Sequence, residues 1–425
     1  MLRSMFSAIS GLKAHQTKLD VAGNNIANVN TVGFKSSSTV FEDTLSQVMR
    51  NGSAPNGDTA GTNPAQVGLG VKVAGITTNF SQGSTQNTGR ASDFMISGDG
   101  FFITQQGNQQ LYTRAGSFDT DGTGNLITPD GAKLQGWMAG PDGTVDTNGG
   151  LVDLKIPTGQ VLAPVPTTGA AISGNLSADA VVPPAVATPV TSQITMYDSL
   201  GNAHQISVTM EKSATVANQW TLTLSEATQP TATTLYSGTI NFGATGATTG
   251  KLTTPAVAAD GTQTVALDLS KYPSWTGPAA IDLAGLTQFG GKSDAAAKTN
   301  AKSGSAMGVL EGYSLSGDGT IVGTYSNGLR QNIGKLALAT FTNPGGLEKA
   351  GNSSYRAGDN SGNPLVGAAG TGSRGTLTAG ALEMSNVDLA EEFTGLIVAQ
   401  RGFQANSRVI TSSDEILQDL VNLKR

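Results

Sequence analysis

The sequence predicts a mixed α and β, multidomain protein, with long terminal α-helices forming a coiled-coil-like core and two nested β-rich domains between them. Three observations predict it. Apolar residues step by three and four near both chain ends, and alternating strand text fills the middle. Glycine reaches 56 of 425 residues whereas Phe, Trp and Tyr together make 5%, a mixture that suits short strands, frequent turns and thin cores.

The first helix follows from Leu2, Met5, Ile9, Leu12, Gln16, Leu19, Gly23 and Ile26, a heptad seam with two soft positions, Gln16 and Gly23. At the other end Leu389, Phe393, Leu396, Gln400, Phe403, Ser407, Ile410, Asp414, Leu417 and Val421 repeat the step. Asn386 and Asp388 stand upstream as caps, with Glu391 and Glu392 in the first turn. A helix from Asp388 to Lys424 is roughly 55 Å long, which suits a rod better than a compact domain. The stripes are predicted to pair with each other and with copies from other subunits. Their large members are therefore the candidate self-assembly residues.

Between the helices, residues 51–70 are rich in Gly, Asn, Pro, Ala and Thr and read as a linker or extended arm. Residues 94–96 and 101–103 flank Ser97-Gly98-Asp99-Gly100, a hairpin signal, and residues 111–118 and 126–127 flank a second turn. Composition shifts near Gly149-Gly150 into a Thr/Ala/Pro-rich block reaching about Ser303. In that block Ile206, Val208 and Met210 alternate with polar residues, as do Trp220, Leu222 and Leu224, and Val265, Leu267 and Leu269. The expected organisation is a terminal helical core (1–30 with 386–425), an arm (31–75), an inner β-rich domain (76–150 with 304–385) and an inserted outer β-rich domain (151–303).

Chemistry is hard to place on this text. The net charge is −6 and no basic run matches a phosphate backbone, which argues against nucleic acid. Cysteine is absent, excluding disulfides and thiolate sites, and no apolar run is long enough for membrane insertion. The first residues have no continuous apolar core or small-residue cleavage site, so any export is expected to proceed without a cleaved signal peptide. The segment 119–130 resembles a calcium loop at Asp119, Asp121, Thr123, Gly124, Leu126 and Asp130, but its flanks are strand-like and a plain turn accounts for it. Residues 370–375 match a dinucleotide fingerprint only as a string, with no βαβ unit around them. His15, read as a solvated flank of the seam, and His204 are the only histidines and cannot readily share a site. No catalytic set, cofactor or metal is expected, and the chain reads as a structural protein rather than an enzyme.

Residues 22–35, AGNNIANVNTVGFK, resemble the N-terminal signature of bacterial flagellar rod and hook proteins, carried here by Asn24, Asn25, Ala27, Asn28, Thr31, Gly33, Phe34 and Lys35. SNVDLAEEF at 385–393 and IVAQRGFQAN at 397–406 are similar to the C-terminal helix of the same family. Residues 68–76, 97–102, 317–327 and 375–383 resemble its hook members most closely, and 197–204 resembles the start of their outer domain. The resemblance implies a helical tubular homopolymer whose terminal helices form the inner tube. It also implies export through the flagellar type III apparatus, and the distal rod, the hook cap and the hook–filament junction proteins as partners. A hook transmits torque from rod to filament as a universal joint. The segment 45–66 departs from many hook proteins and resembles the longer arm of the distal rod protein, which keeps a stiff rod-like subunit as the alternative. From another class, an exported β-rich adhesin or carbohydrate-binding protein would need exposed aromatic clusters in the inserted block, which holds Trp220, Trp275 and few other aromatics.

Overall fold

The computed structural model describes residues 2–55, 60–159, 161–180, 188–226, 233–258, 261–298 and 303–422; the side chains of Leu2, Leu420 and Val421 fall outside the description. Helix α1 spans Leu2–Ala27 and helix α2 spans Leu389–Asn422. Asp388 caps α2, its Oδ1 accepting from the backbone N–H of Ala390 at 2.8 Å and of Glu391 at 3.3 Å. The two first-turn glutamates complement the positive helix end.

The chain divides into two compact units, one of residues 1–157, 313–323 and 331–425, the other of 158–312 and 324–330. The inserted block therefore begins later than position 151, and it takes in a short second segment beyond 303. In the first unit, α1 packs along α2. Strand Ser37–Asp43 pairs antiparallel with Val71–Thr78, and both lie against α1. The segment expected as an arm is thus partly a hairpin stem, because alternate residues of both strands are half-buried against the helix. Beyond it Ser46–Arg50 pairs with Ala65–Gly68, a two-stranded ribbon exposed on both faces.

The main sheet of this unit runs Lys133–Met138, Phe101–Gln106, Gln109–Thr113, Ser354–Arg356, Glu348–Gly351, with Arg330–Thr340 pairing both of the first two strands. The hairpin expected across Ser97–Gly100 does not form. Phe94–Ser97 pairs with Thr376–Ala379, whereas Phe101–Gln106 pairs with Gln109–Thr113. Both segments are largely buried; Phe94–Ser97 takes a distant strand as partner, and Phe101–Gln106 forms a hairpin with the strand that follows it and pairs on its other edge with Lys133–Met138 and Arg330–Thr340. Gly98 and Gly100, at φ +105° and +134°, let the chain cross from one sheet to the other.

The second unit stacks two sheets. One is the antiparallel order Val190–Tyr197, Ala203–Lys212, Gln219–Glu226, Thr233–Phe242, Leu252–Thr254. The other is Thr264–Ala266, Ala280–Phe289, Gly169–Ser177, Ala296–Lys298, with its two long central strands parallel. Ile206, Val208, Met210, Trp220, Leu222, Leu224, Val265 and Leu267 enter one buried core, as their alternation requires, and Leu269 packs at its edge. Within this core His204 Nδ1 lies 2.8 Å from Glu226 Oε1, and the Tyr272 hydroxyl donates to the same carboxylate.

Candidate self-assembly surface and the junction beneath it

The two helices meet along their small residues. Ala8, Gly11, Ala14 and Ala22 of α1 and Ala399 and Ser413 of α2 are buried, whereas Met5, Ile9, Leu12, Leu19 and Ile26 are only half-buried. An added Cβ on Gly11 would come within 2.7 Å of the Asn406 amide, and one on Gly402 within 2.6 Å of the His15 ring. The seam inside the subunit is thus one step round from the large-residue stripe, because close helix approach favours small side chains. The fully buried positions along the two helices are mostly small residues, and a coiled-coil seam of the large ones is not confirmed. Leu396, Ile410 and Leu417 are half-buried, but Leu389, Phe393 and Phe403 are exposed, Phe393 by 50%. Ile397, Val398, Val409 and Ile416 are exposed as well. Leu2 and Val421 belong to the same stripes, and their side chains lie outside the described residues.

His15 also departs from expectation. It sits at the seam rather than on a solvated flank, edge-on to Phe41 with centroids 5.8 Å apart, and its Nδ1 is buried without a hydrogen-bond partner. Burial, helped by the Lys18 charge, lowers its pKa from the usual 6.5.

Below the seam, the turn after α1 is a polar knot. Asn25 is buried; its amide donates to the Ser37 carbonyl at 2.8 Å and to Glu392 Oε1 at 2.7 Å, while its Oδ1 accepts from the Ser37 N–H at 3.0 Å. One side chain so joins α1, the first strand and α2. Asn28 donates to the Asn24 carbonyl at 2.9 Å and accepts from the Thr31 hydroxyl at 3.0 Å, which closes the turn. Gly33, at φ +67°, donates its N–H to the Glu383 carbonyl at 2.8 Å, and a Cβ there would lie 2.5 Å from the Ala115 nitrogen. Phe34 lies under the Lys349 ammonium, 5.4 Å from the ring centroid. Ala27 is exposed.

Lys35 is fully buried, its ammonium 2.6 Å from Glu383 Oε1 and 2.8 Å from the Ser81 carbonyl. Glu383, also fully buried, takes the Gly83 N–H on Oε1 at 2.9 Å and Arg114 Nη1 on Oε2 at 3.3 Å. Burial pulls the Lys35 pKa below its ordinary range, Glu383 opposes this by hydrogen bond and charge, and Arg114 adds to the lowering. Asn386 completes the knot, accepting from the Ser36 N–H at 2.8 Å and donating to the Asn79 carbonyl at 2.9 Å. Sequence reasoning singled out the 22–35 motif as a signature but missed Glu383, Asn386 and Arg114 as its partners. No local signal marked them, since Glu383 and Asn386 lie 348 and 350 residues beyond Lys35 and Ser36.

The calcium-like loop consumes its own carboxylate. Asp121 Oδ1 accepts from the Thr123 N–H and hydroxyl and the Asn125 N–H, and Oδ2 from the Asn125 amide. These bonds, the Asn125 amide foremost, hold its pKa at about 2. Among the described residues no three His, Cys, Asp or Glu side chains gather as metal ligands, and no helix is long and apolar enough to cross a membrane.

Relatives match the sequence of this chain along its whole length. Profiles of the flagella basal body rod protein match residues 5–35, of the flagellar hook protein FlgE/F/G D1 domain 95–211, of the flagellar basal body protein FlaE D2 domain 175–301, and of the flagellar basal body rod FlgEFG protein C-terminal region 378–423. The flagellar hook protein FlgE of Borreliella burgdorferi is 40% identical over 100% of both chains, and that of Escherichia coli 37% identical over 98% of this chain and 99% of its own. The chain belongs to the flagellar hook protein FlgE family. The flagellar basal-body rod protein FlgG of Bacillus subtilis is 32% identical over 100% of both chains. The crystal structure of Helicobacter pylori FlgE2 aligns with 69% of this chain and 98% of its own at 14% identity and a TM-score of 0.49.

Two predictions follow from the junction and seam. Lys35→Met leaves Glu383 buried beside a single, longer-range cation, so it destabilises the first unit by about 3–5 kcal/mol in urea denaturation. A loss below about 1 kcal/mol would mean that the pair behaves as a solvated one. For His15 the folded pKa lies below the unfolded one. The seam is therefore at full strength above the usual 6.5 and loses stability as pH falls from there through the folded value. Proteolysis of α1 speeds up between about pH 7.5 and about pH 5 in the parent, and His15→Gln removes that dependence.

Proposed function

We propose that this chain is the self-assembling structural subunit of a bacterial flagellar hook, a helical tube that carries torque from rod to filament while bending. One observation carries the reading at the residue level: α2 keeps large apolar side chains open to water, Leu389, Phe393 and Phe403 on the heptad stripe and Ile397, Val409 and Ile416 elsewhere round the helix, while its fully buried positions are small residues. Apolar area is stabilised by about 25 cal/mol per Å² when covered, so open apolar side chains along a helix of 34 residues are a driving force for lateral association. Copies of the same helix pair supply the complementary stripe, with Met5, Ile9, Leu12, Leu19 and Ile26 half-open on α1. In this reading the partner is the chain itself. The distal rod, the hook cap, the hook–filament junction proteins and the type III export apparatus are the neighbours such a subunit meets.

A stiffer, distal rod-like tube is the second reading. The exposed ribbon Ser46–Arg50 with Ala65–Gly68 and the FlgG likeness support it, because a ribbon reaching an adjacent subunit resists the sliding that bending requires.

Phe403→Asp places a charge on the stripe. The variant keeps the circular dichroism of the parent but fails to polymerise from purified seeds and does not support swimming; normal tubes would show that the stripe faces solvent. Deleting residues 51–64 leaves both ribbon strands and still permits assembly, and electron microscopy then shows a tube of shorter persistence length and higher curvature. Unchanged stiffness would reduce the ribbon to a surface loop.

A further inference from the structure

Arg114 is a buried cation with little to hold. It is 3% exposed and, among the described residues, its one side-chain hydrogen bond is the 3.3 Å contact from Nη1 to Glu383, which Lys35 already engages at 2.6 Å. Nε has no hydrogen-bond partner. Among the described residues Glu383 is the only carboxylate within ion-pair distance of either Lys35 or Arg114, so the group carries two cations for one anion. A guanidinium offers five N–H donors in a flat fork, and desolvating it this far is costly unless an anion meets it.

The same arginine lines a cleft of about 320 Å³ in the first unit, walled by Phe80, Phe101 and Phe341, with Asp99 and Ser373 among its other lining residues. The guanidinium carbon stands 5.3 Å from the Phe101 ring centroid. Phe80 and Phe341 each meet Phe101 edge-on, at 5.5 and 5.9 Å between centroids. An aromatic wall with an under-bonded guanidinium suits a carboxylate on a short apolar stem: the methylenes lie against the rings and the oxygens meet the fork.

We infer that this cleft is a carboxylate-binding site, filled in the polymer by an acidic side chain of a second copy of this chain. Charge complementarity selects that occupant. The chain is acidic, with 31 Asp and Glu against 25 Lys and Arg, so each copy presents carboxylates to a neighbour that here presents an excess cation. The second-copy part rests on the reading of the chain as a self-assembling subunit; the carboxylate site itself does not. Among the described residues Asp99 is the one acid lining the cleft, and it makes no ion pair with Arg114, so it leaves the guanidinium unsatisfied.

Titration of the full-length monomer with benzoate, with benzylamine as the control of like shape and opposite charge, reads the site directly. Benzoate binds and benzylamine does not. Ser373→Glu, at an exposed cleft position, supplies a carboxylate in cis and weakens benzoate about tenfold or more, whereas Asp99→Asn strengthens it. No benzoate binding to parent and Asp99→Asn alike overturns the site, and binding only to Asp99→Asn makes Asp99 its resident occupant. The occupant is read in seeded polymers. The chain has no cysteine, so Ser373→Cys gives a single thiol, alkylated quickly in the monomer and protected in the polymer. Benzoate in turn slows the polymerisation of the parent. Equal alkylation in both states, or polymerisation indifferent to benzoate, overturns the second copy as occupant. A chain that binds benzoate but never polymerises refutes the hook reading and leaves the carboxylate site standing.

Discussion

A lysine ammonium taken out of water must meet a carboxylate, and the base of α1 is organised around that requirement. Lys35 can be buried only because Glu383 arrives from the far end of the chain at 2.6 Å, and Glu383 can be buried only because Gly83 and Arg114 also donate to it. Once the pair is fixed, Gly33 must turn at positive φ to bond the Glu383 carbonyl, and Asn386 must face Ser36. α2 begins three residues after Asn386, so the junction sets where the second helix starts and which of its faces meets α1. The close seam at Gly11, His15, Gly402 and Asn406 then has one register available.

This arrangement separates two tasks that a heptad stripe usually combines. Small residues hold the helices of one subunit together, and large ones stay on the flank. A seam of alanine and glycine gains less from apolar burial than one of leucine and phenylalanine, and the polar knot beneath supplies direction instead: the Asn25 amide reaches Glu392 on α2 at 2.7 Å.

Much of this was legible in the residues. Caps, heptad steps and helix ends follow from local chemistry, and Asp388, Glu391 and Glu392 stand where a helix start needs them. The alternation around Trp220, Leu222 and Leu224 fixed the facing of the inserted strands before any coordinates, since a period of two assigns each side chain to one face. The fully buried line between the helices lies one step round from the stripe that periodicity marks. Periodicity shows that a stripe exists, whereas which of two adjacent stripes is covered first depends on how closely backbones approach, and Gly402 and Gly11 decide that only in three dimensions. The Ser97–Gly100 crossing was hidden for a similar reason: glycine text announces a reversal of direction, but strand partners at positions 376–379 lie far beyond any local window. Glu383 and Asn386 were invisible as partners of the 22–35 motif because nothing local records a contact between residues so far apart.

That remoteness has a kinetic meaning. The bonds that seat α1 join positions 348, 350 and 367 residues apart, for Lys35 with Glu383, Ser36 with Asn386 and Asn25 with Glu392. Loop closure over such distances costs only slightly more entropy than over half of them, so the finished junction loses little stability. What it loses is time. During synthesis residues 25–36 emerge with every one of these acceptors still unmade, and the inserted unit can fold as it appears while the opening helix waits. The opening helix is made long before its partners and is among the last segments to find its place.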